Sequence, residues 1–430
     1  MSSLRTPPKT KVGRLPPETA LGAMAQSMAP GHRVIWLLEP ERAWQELLRC
    51  IACAQKCIDI QLYMLSADAV GQQFLAALTA ARRRGVAVRL MLDGIGSLEL
   101  PYQALAEFLE VGGEFRLFGP IWLRAPWRHW KKRNHRKVFI FDGNSAIVTG
   151  RNVGEHYYPS PQVTEAESGE IWQDLGALIQ GPTVASLAAT LQRDWADRLR
   201  RTGRLVRLRQ TFAEVFGSPI VRAEARSLTS TRGAQLKQDP SATVANGPRL
   251  KALFNLGHRR SAHANRWYLK AIRAATQSIW LAHSYFLPER ALQRALVAAA
   301  RRGVRVVVLL PDIAVTDVRA VGLASIHGLP PLLRAGIEVY MLGGPMLHAK
   351  AGVIDGQWWT MGSANLDPLS RQRNLEANLA GADIRDASQI LSQFARWRDR
   401  ATRWTLAHHR RQPWLQRALG WFLWKFRLIL

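Results

Sequence analysis

The sequence predicts an α/β protein built as two similar halves. Three observations carry that expectation: an internal repeat of strand, helix and strand, a four-residue constellation that recurs at identical offsets, and enough chain to bury two cores. The chain has 430 residues with 47% apolar content, whereas single domains usually hold roughly 100–200 residues.

Residues 1–30 are basic and rich in Pro and Ser, without a continuous apolar core, and are expected to form a disordered tail and not a signal peptide. The first half, 31–224, contains IDIQLYML (Ile58 to Leu65), a helical run, and ARRRGVAVRLMLDG (Ala81 to Gly94). The second, 249–400, contains SIWLAHSYFL (Ser278 to Leu287) and then AARRGVRVVVLLPD (Ala299 to Asp312). Each reads as a strand, a helix closed by Arg-Arg-Gly and a second apolar strand. Gly85 and Gly303 fall where a helix takes a left-handed C-cap. Further strands follow at EFRLFG (Glu114 to Gly119) and IEVYMLG (Ile337 to Gly343). Apolar strands alternating with helices predict sheets covered by helices on both faces. Between the halves, 225–248 is polar and reads as a surface linker, and 401–430 is a separate Trp-rich tail.

Lys and Arg outnumber Asp and Glu by 59 to 32, a net charge of +27 spread along the chain. An anionic partner is expected, and both nucleic acid and an anionic membrane surface fit. Cys50, Cys53 and Cys57 are spaced for roughly one helical face and read as buried small side chains, in keeping with a reducing compartment. No stretch has the ~18–20 uninterrupted apolar residues of a spanning helix.

The chemistry-bearing residues are duplicated. His135, Lys137, Asp142 and Asn152 stand at offsets 0, 2, 7 and 17, and His348, Lys350, Asp355 and Asn365 repeat them 213 residues later. On an extended strand, His and Lys two apart emerge on one face and can share a phosphate. A lone His-x-Lys would more often be a surface pair; the duplication argues for catalysis. One imidazole can attack phosphorus while the other protonates the leaving alkoxide and later deprotonates the incoming hydroxyl. Lysines and amides would hold the non-bridging oxygens, so the site needs neither metal nor cofactor. Asp142 and Asp355 belong to the constellation, but each precedes a glycine and is better placed to end its strand than to move protons. Asp174 and Glu376 are the candidates to orient the imidazoles, each expected to serve its own half, 39 residues beyond His135 and 28 beyond His348.

These motifs resemble the phospholipase D superfamily from about Gly31 to Ala380. RNHRK, HSYFLPERALQRALVAAARRGVRVVVLLPD and GSANLDPLSRQRNLEAN are similar to bacterial cardiolipin synthases of the short B type, which lack N-terminal spanning helices. The resemblance implies two phospholipase D-type α/β/α lobes related by a pseudo-twofold, with one site at their interface. It implies ping-pong transfer of a phosphatidyl group, with His135 as nucleophile and His348 as acid/base. It further makes Asn152, Ser363 and Asn365 phosphate contacts, and leaves Glu155 and Asp367 as structural or supporting acids. Thr149-Gly150 replaces the family's usual Gly-Gly pair, and 313–331 and 341–346 depart from its pattern, so acceptor choice stays open.

Trp122, Trp127 and Trp130 alternate with Arg124, Arg128, Lys131, Lys132 and Arg133 just before His135, a mixture suited to lipid headgroups. WLQRALGWFLWKFRLIL (Trp414 to Leu430), broken by Arg417, Lys425 and Arg427, reads as an interfacial anchor or a helix packed on the protein. The expected activity is cardiolipin synthesis from two phosphatidylglycerols with release of glycerol, or from phosphatidylglycerol with phosphatidylethanolamine or another alcohol-bearing lipid. Hydrolysis to phosphatidic acid and a superfamily nuclease are the competing enzymatic readings, and a silent membrane scaffold the non-enzymatic one. The expected partner is an anionic phospholipid membrane and not nucleic acid, at the cytoplasmic face of the inner membrane.

Overall fold

In the computed structural model, residues 19–119, 132–160, 171–203 and 243–427 are described. A short helix, α1 (Ala20–Gln26), opens the described chain. The first lobe follows as β1 (Arg33–Leu37), α2 (Pro40–Cys53), β2 (Cys57–Leu62), α3 (Ala69–Arg83), β3 (Ala87–Asp93), α4 (Tyr102–Glu110), β4 (Glu114–Phe118), β5 (Val138–Phe141), β6 (Ser145–Thr149), β7 (Gly176–Gln180) and α5 (Thr183–Gly203). The second begins with β8 (Leu250–Leu256), α6 (His263–Ala274), β9 (Ser278–His283), α7 (Arg290–Arg301), β10 (Arg305–Pro311), α8 (Arg319–His327), α9 (Pro330–Arg334) and β11 (Glu338–Leu342). It continues with β12 (Lys350–Ile354), β13 (Trp358–Gly362), α10 (Pro368–Gln372), β14 (Leu375–Ala382), α11 (Ile384–Asp399), β15 (Ala401–Trp404), α12 (Leu406–Arg411) and α13 (Trp414–Lys425).

The expected duplication is explicit in the strand order. The first sheet runs β1-β7-β6-β5-β2-β3-β4, and the second, read from its other edge, runs β8-β14-β13-β12-β9-β10-β11 with β15 added beyond β11. In each, three successive strands (β2, β3, β4 and β9, β10, β11) are parallel and the motif strand is antiparallel to the first of them. β2 and β12 are buried at every position, as sheets covered on both faces require. Gly85 and Gly303 close α3 and α7 at φ +92° and +89°, the left-handed region that glycine enters freely.

Three apolar layers result. One packs α2 and α3 on the outer face of the first sheet and another packs α6 and α7 on the second. The third lies between the lobes, where Val138, Ile140 and Val148 meet Ala351, Trp359 and Met361, with α5 and α11 contributing Leu187, Leu191, Ile390 and Phe394. Polar contacts cross this seam. Trp36 donates its indole N–H to Asp386 at 2.9 Å, and Trp397 donates to Gln173 at 3.1 Å.

Several boundaries differ from the expectation. Within the tail expected to be disordered, 19–30 are folded: Leu21, Met24 and Met28 enter the second lobe's core, and Ala29 bridges Leu250. Burial of three apolar side chains outweighs the weak intrinsic helicity of seven residues. β15 pairs with β11, so the second lobe extends past residue 400. Cys57 begins β2 and does not continue the helix bearing Cys50 and Cys53, and Cys53 is exposed. The basic Trp cluster at 122–131 and most of the linker lie outside the described residues.

Candidate active site

The two histidines arrive at one place because each motif is stitched to the opposite lobe. His135 N donates to Leu375 O at 2.9 Å and Leu375 N to Arg133 O at 2.8 Å. By the same pattern, His348 N donates to Gln173 O at 2.7 Å and Gln173 N to Met346 O at 2.8 Å. The residue after each bridge is a carboxylate, so Glu376 faces His135 and Asp174 faces His348. Their oxygens lie 3.0 Å and 2.7 Å from the respective Nδ1 atoms. This corrects the expected pairing within each half. Within a lobe, β6 or β13 separates the motif strand from the strand that the carboxylate precedes or occupies, so the contact is made across the seam.

Buried Asp93 holds the approach to His135, accepting from Asn134 N at 2.8 Å and from Arg133 at 3.3 Å. Next to the histidines, Lys137 Nζ donates to His135 O at 2.9 Å and lies 5.3 Å from the Tyr63 ring. Lys350 Nζ lies 2.8 Å and 3.0 Å from the two ring nitrogens of His348 and 4.0 Å from Asp174. Tyr63 packs edge-on against His135, while Tyr157 and Trp172 pack against His348, with ring centroids 5.1–5.3 Å apart. None of these aromatics stood out in the sequence, since strand-end rings also fill ordinary cores.

Burial dominates the electrostatics. It lowers the His135 imidazole, with Lys137 adding to the effect against the opposing pull of Glu376. Burial and then Lys350 push His348 down to about 3. Both rings are therefore neutral near pH 7, and a proton on Nδ1 facing the carboxylate leaves Nε2 as the basic nitrogen. Burial also brings Lys350 down to about 8, and burial with repulsion from Lys350 takes Lys137 well below its ordinary value. Burial would raise Asp174, but Lys350 and His348 outweigh it and hold the carboxyl low. The repulsion that Lys350 exerts on Lys137 has the sign that a phosphate held by both would relieve.

The remaining expected residues divide. Asn152 lies beside the site, its Nδ2 donating to the Tyr157 hydroxyl at 2.9 Å, and Asn365 accepts from Ser284 Oγ at 2.9 Å. Ser363 lies between Glu376 and His135: its hydroxyl donates to Glu376 at 2.6 Å, and its carbonyl oxygen lies 3.2 Å from His135 Nδ1. Gly150 occupies the equivalent place in the first lobe, where a Cβ would run into the Asp174 carboxylate.

Asp142 and Asp355 stand apart from the histidines and lysines. They sit beyond the far ends of the motif strands, on the order of 15 Å of extended chain from their lysines. Asp142 accepts from the backbone of Gln55, Lys56 and Cys57; Asp355 accepts from Thr276, Gln277 and Ser278. Both hold φ at 51°, a left-handed conformation that Asp tolerates better than most residues. Asp367 caps α10 through Ser370 N at 2.7 Å, and Glu155 N donates to Asp68 at 2.9 Å. Among the described residues, no group of three or more His, Cys, Asp or Glu is disposed to hold a metal ion.

A duplicated α/β lobe with one shared His/Lys site is the architecture of PLD-like proteins. The family described as "Cardiolipin synthase, PLD-like domain" matches residues 47–195 and 268–398, well over half of the chain, and the chain belongs to that family. A probable cardiolipin synthase of Bacillus subtilis is 29% identical over 82% of this chain and 63% of its own length. A cardiolipin synthase of Alkalihalophilus pseudofirmus is 28% identical over 83% of this chain and 64% of its own. The chain thus spans just under two thirds of these relatives. The phosphatidylserine synthase of Haemophilus influenzae shares the fold at a TM-score of 0.67 and 13% identity, over 95% of this chain and 98% of that one.

Proposed function

We propose that this chain is a phosphatidyltransferase of the cardiolipin synthase kind, joining two phosphatidylglycerols through a phosphohistidine and releasing glycerol. The observation that carries this is the pair of imidazoles, each with Nδ1 against a buried carboxylate of the other lobe, flanked by two buried lysines. We take His135 as the nucleophile, the role that the resemblance in sequence implies for it; Lys350 Nζ, 2.8 Å and 3.0 Å from the two ring nitrogens, lies against the face of the His348 ring.

In the first step, His135 Nε2 attacks phosphorus, the P–O bond to glycerol breaks, and His348 protonates the leaving oxygen. Burial and then Lys350 depress His348; the bound diester's negative charge opposes the Lys350 contribution and favours uptake of the proton that this step spends. In the second step, His348 takes the proton of an incoming lipid hydroxyl, which attacks phosphorus and frees His135. Lys137, Lys350, Asn152 and Asn365 stabilise the non-bridging oxygens.

The partner is an anionic phospholipid surface, engaged peripherally. No described helix is long and apolar enough to cross a membrane. α13 packs one side on α8, with Leu423 and Trp424 against Val321 and Ala324, and exposes Trp414, Leu415, Leu419, Trp421, Phe422 and Phe426 on the other. Arg417 and Lys425 border that apolar face, the composition of an interfacial helix.

The test is labelled phosphatidylglycerol in liposomes with EDTA. Cardiolipin and glycerol are expected, with His135→Ala and His348→Ala each losing turnover. Phosphatidic acid without cardiolipin would replace the transferase reading with hydrolysis, and EDTA-sensitive turnover would contradict the charge roles given to the lysines.

A further inference from the structure

A carboxylate stands where a site that gathers cations for an anion has no evident need of one. Tyr285 leaves β9 immediately beyond Ser284, whose N–H donates at 3.0 Å to the carbonyl of Ala349, the residue between His348 and Lys350. Its hydroxyl donates to the Asp317 carboxylate, 2.7 Å from one oxygen and 2.9 Å from the other. Asp317 is exposed and ends the turn joining β10 to α8, accepting from Val318 N at 2.8 Å. Ser284 Oγ also donates to Asn365 at 2.9 Å, so the chain that carries Tyr285, and with it Asp317, runs beside the catalytic site.

An ionised carboxylate has about four acceptor positions, and the bonds from Tyr285 and Val318 leave capacity on both oxygens. Facing a phosphate, that capacity is repulsive. Facing the attacking alcohol, it is useful: a hydroxyl on the carbon next to the reacting one can donate to Asp317 while its neighbour is delivered to His348.

We propose that Asp317, held in place by Tyr285, selects the acceptor by binding the adjacent hydroxyl of a vicinal diol such as a glycerol headgroup. The proposal rests on the phosphatidyl-transfer reading above. It assigns Asp317 to the second half-reaction, leaving attack on the donor to the histidines.

The experiment uses full-length protein, acyl-labelled phosphatidylglycerol as donor, and matched alcohols: propane-1,2-diol, propan-1-ol and 2-aminoethanol. Phosphatidyl alcohols and phosphatidic acid are resolved together. Wild-type protein is expected to favour the diol over propan-1-ol by tenfold or more. Asp317→Ala is expected to bring that ratio near one while hydrolysis to phosphatidic acid stays within about threefold. Asp317→Asn, which keeps an acceptor, and Tyr285→Phe, which frees the carboxylate, should give intermediate ratios. An unchanged ratio in Asp317→Ala, or proportional loss of hydrolysis and transfer, overturns the assignment. A wild-type preference for 2-aminoethanol that Asp317→Asn removes would make this a cation site and overturn the diol. Phosphatidic acid as the sole wild-type product with every alcohol removes the transfer reading itself, an outcome visible before any variant is made.

Discussion

Replacing Glu376 with Gln preserves shape and a carbonyl acceptor at His135 but removes the charge. At the observed 3.0 Å between Glu376 Oε2 and His135 Nδ1, a unit pair at an effective dielectric near 20 interacts by about 5 kcal/mol. The retained neutral hydrogen bond returns part of that, leaving a loss of roughly 3–5 kcal/mol whenever the imidazole is positively charged, as it would be in the proposed phosphohistidine. At ~1.4 kcal/mol per decade, kcat should fall about 10²- to 10⁴-fold. The sign of the pH effect follows from the same contact: Glu376 opposes the lowering of His135, so the variant's His135 titrates lower still. Imidazole NMR provides the assay beside steady-state turnover. Glu376→Gln should shift the titration of His135 and leave His348 in place, and Asp174→Asn the reverse. A shift of His348 by Glu376→Gln, or turnover within tenfold of wild type, would refute orientation across the seam.

Asp355→Asn should act on stability. It weakens an acceptor serving three backbone N–H groups, costing about 1–3 kcal/mol in denaturant titrations, while kcat/KM of the folded protein stays within about tenfold. A thousandfold activity loss without loss of stability would restore it to the chemistry. With Lys350 at about 8, its ammonium is lost as pH rises, so kcat/KM of the wild type should decline above about pH 8. Lys350→Arg, if active, should move that limb upward because Arg stays charged; an unmoved limb assigns it elsewhere. A Cβ at Gly420 would lie 2.9 Å from Leu323 O, so Gly420→Val should push α13 off α8. Faster proteolysis around 412–425 is the readout, and unchanged protection would count against this packing. Trp421→Ala should lower sedimentation with anionic vesicles severalfold while leaving hydrolysis of a soluble diester intact.

The parts of this molecule legible in the sequence are those in which local pattern and final contact coincide. The 213-residue offset of the motif survives as matching strands, β6 at Ser145–Thr149 and β13 at Trp358–Gly362, because hairpin register is set by a few neighbouring residues. Arg-Arg-Gly ends a helix twice for the same local reason. α1 and β15 were not legible, since a seven-residue helix and a four-residue strand have little local preference and exist through what they pack or pair with. Asp317 did not stand out within 313–331 because its partner Tyr285 lies 32 positions earlier.

The pairing of histidine with carboxylate was the consequential misreading, and its cause bears on how the site is built. Glu376 and His135 are 241 residues apart, and Asp174 and His348 are 174 apart; chain spacing carries no preference at such distances. What decides the pairing is docking of the lobes, through the apolar layer that joins Val138 and Val148 to Ala351 and Met361. Each bridge that seats a histidine also brings in the acid from the opposite lobe, as when Leu375 receives His135 N and is followed by Glu376. A lobe alone would therefore hold an imidazole and a lysine without the carboxylate that fixes the tautomer. Duplication here does more than supply two histidines: by exchanging their carboxylates across the seam, it makes correct lobe docking a condition for either imidazole to meet its acid.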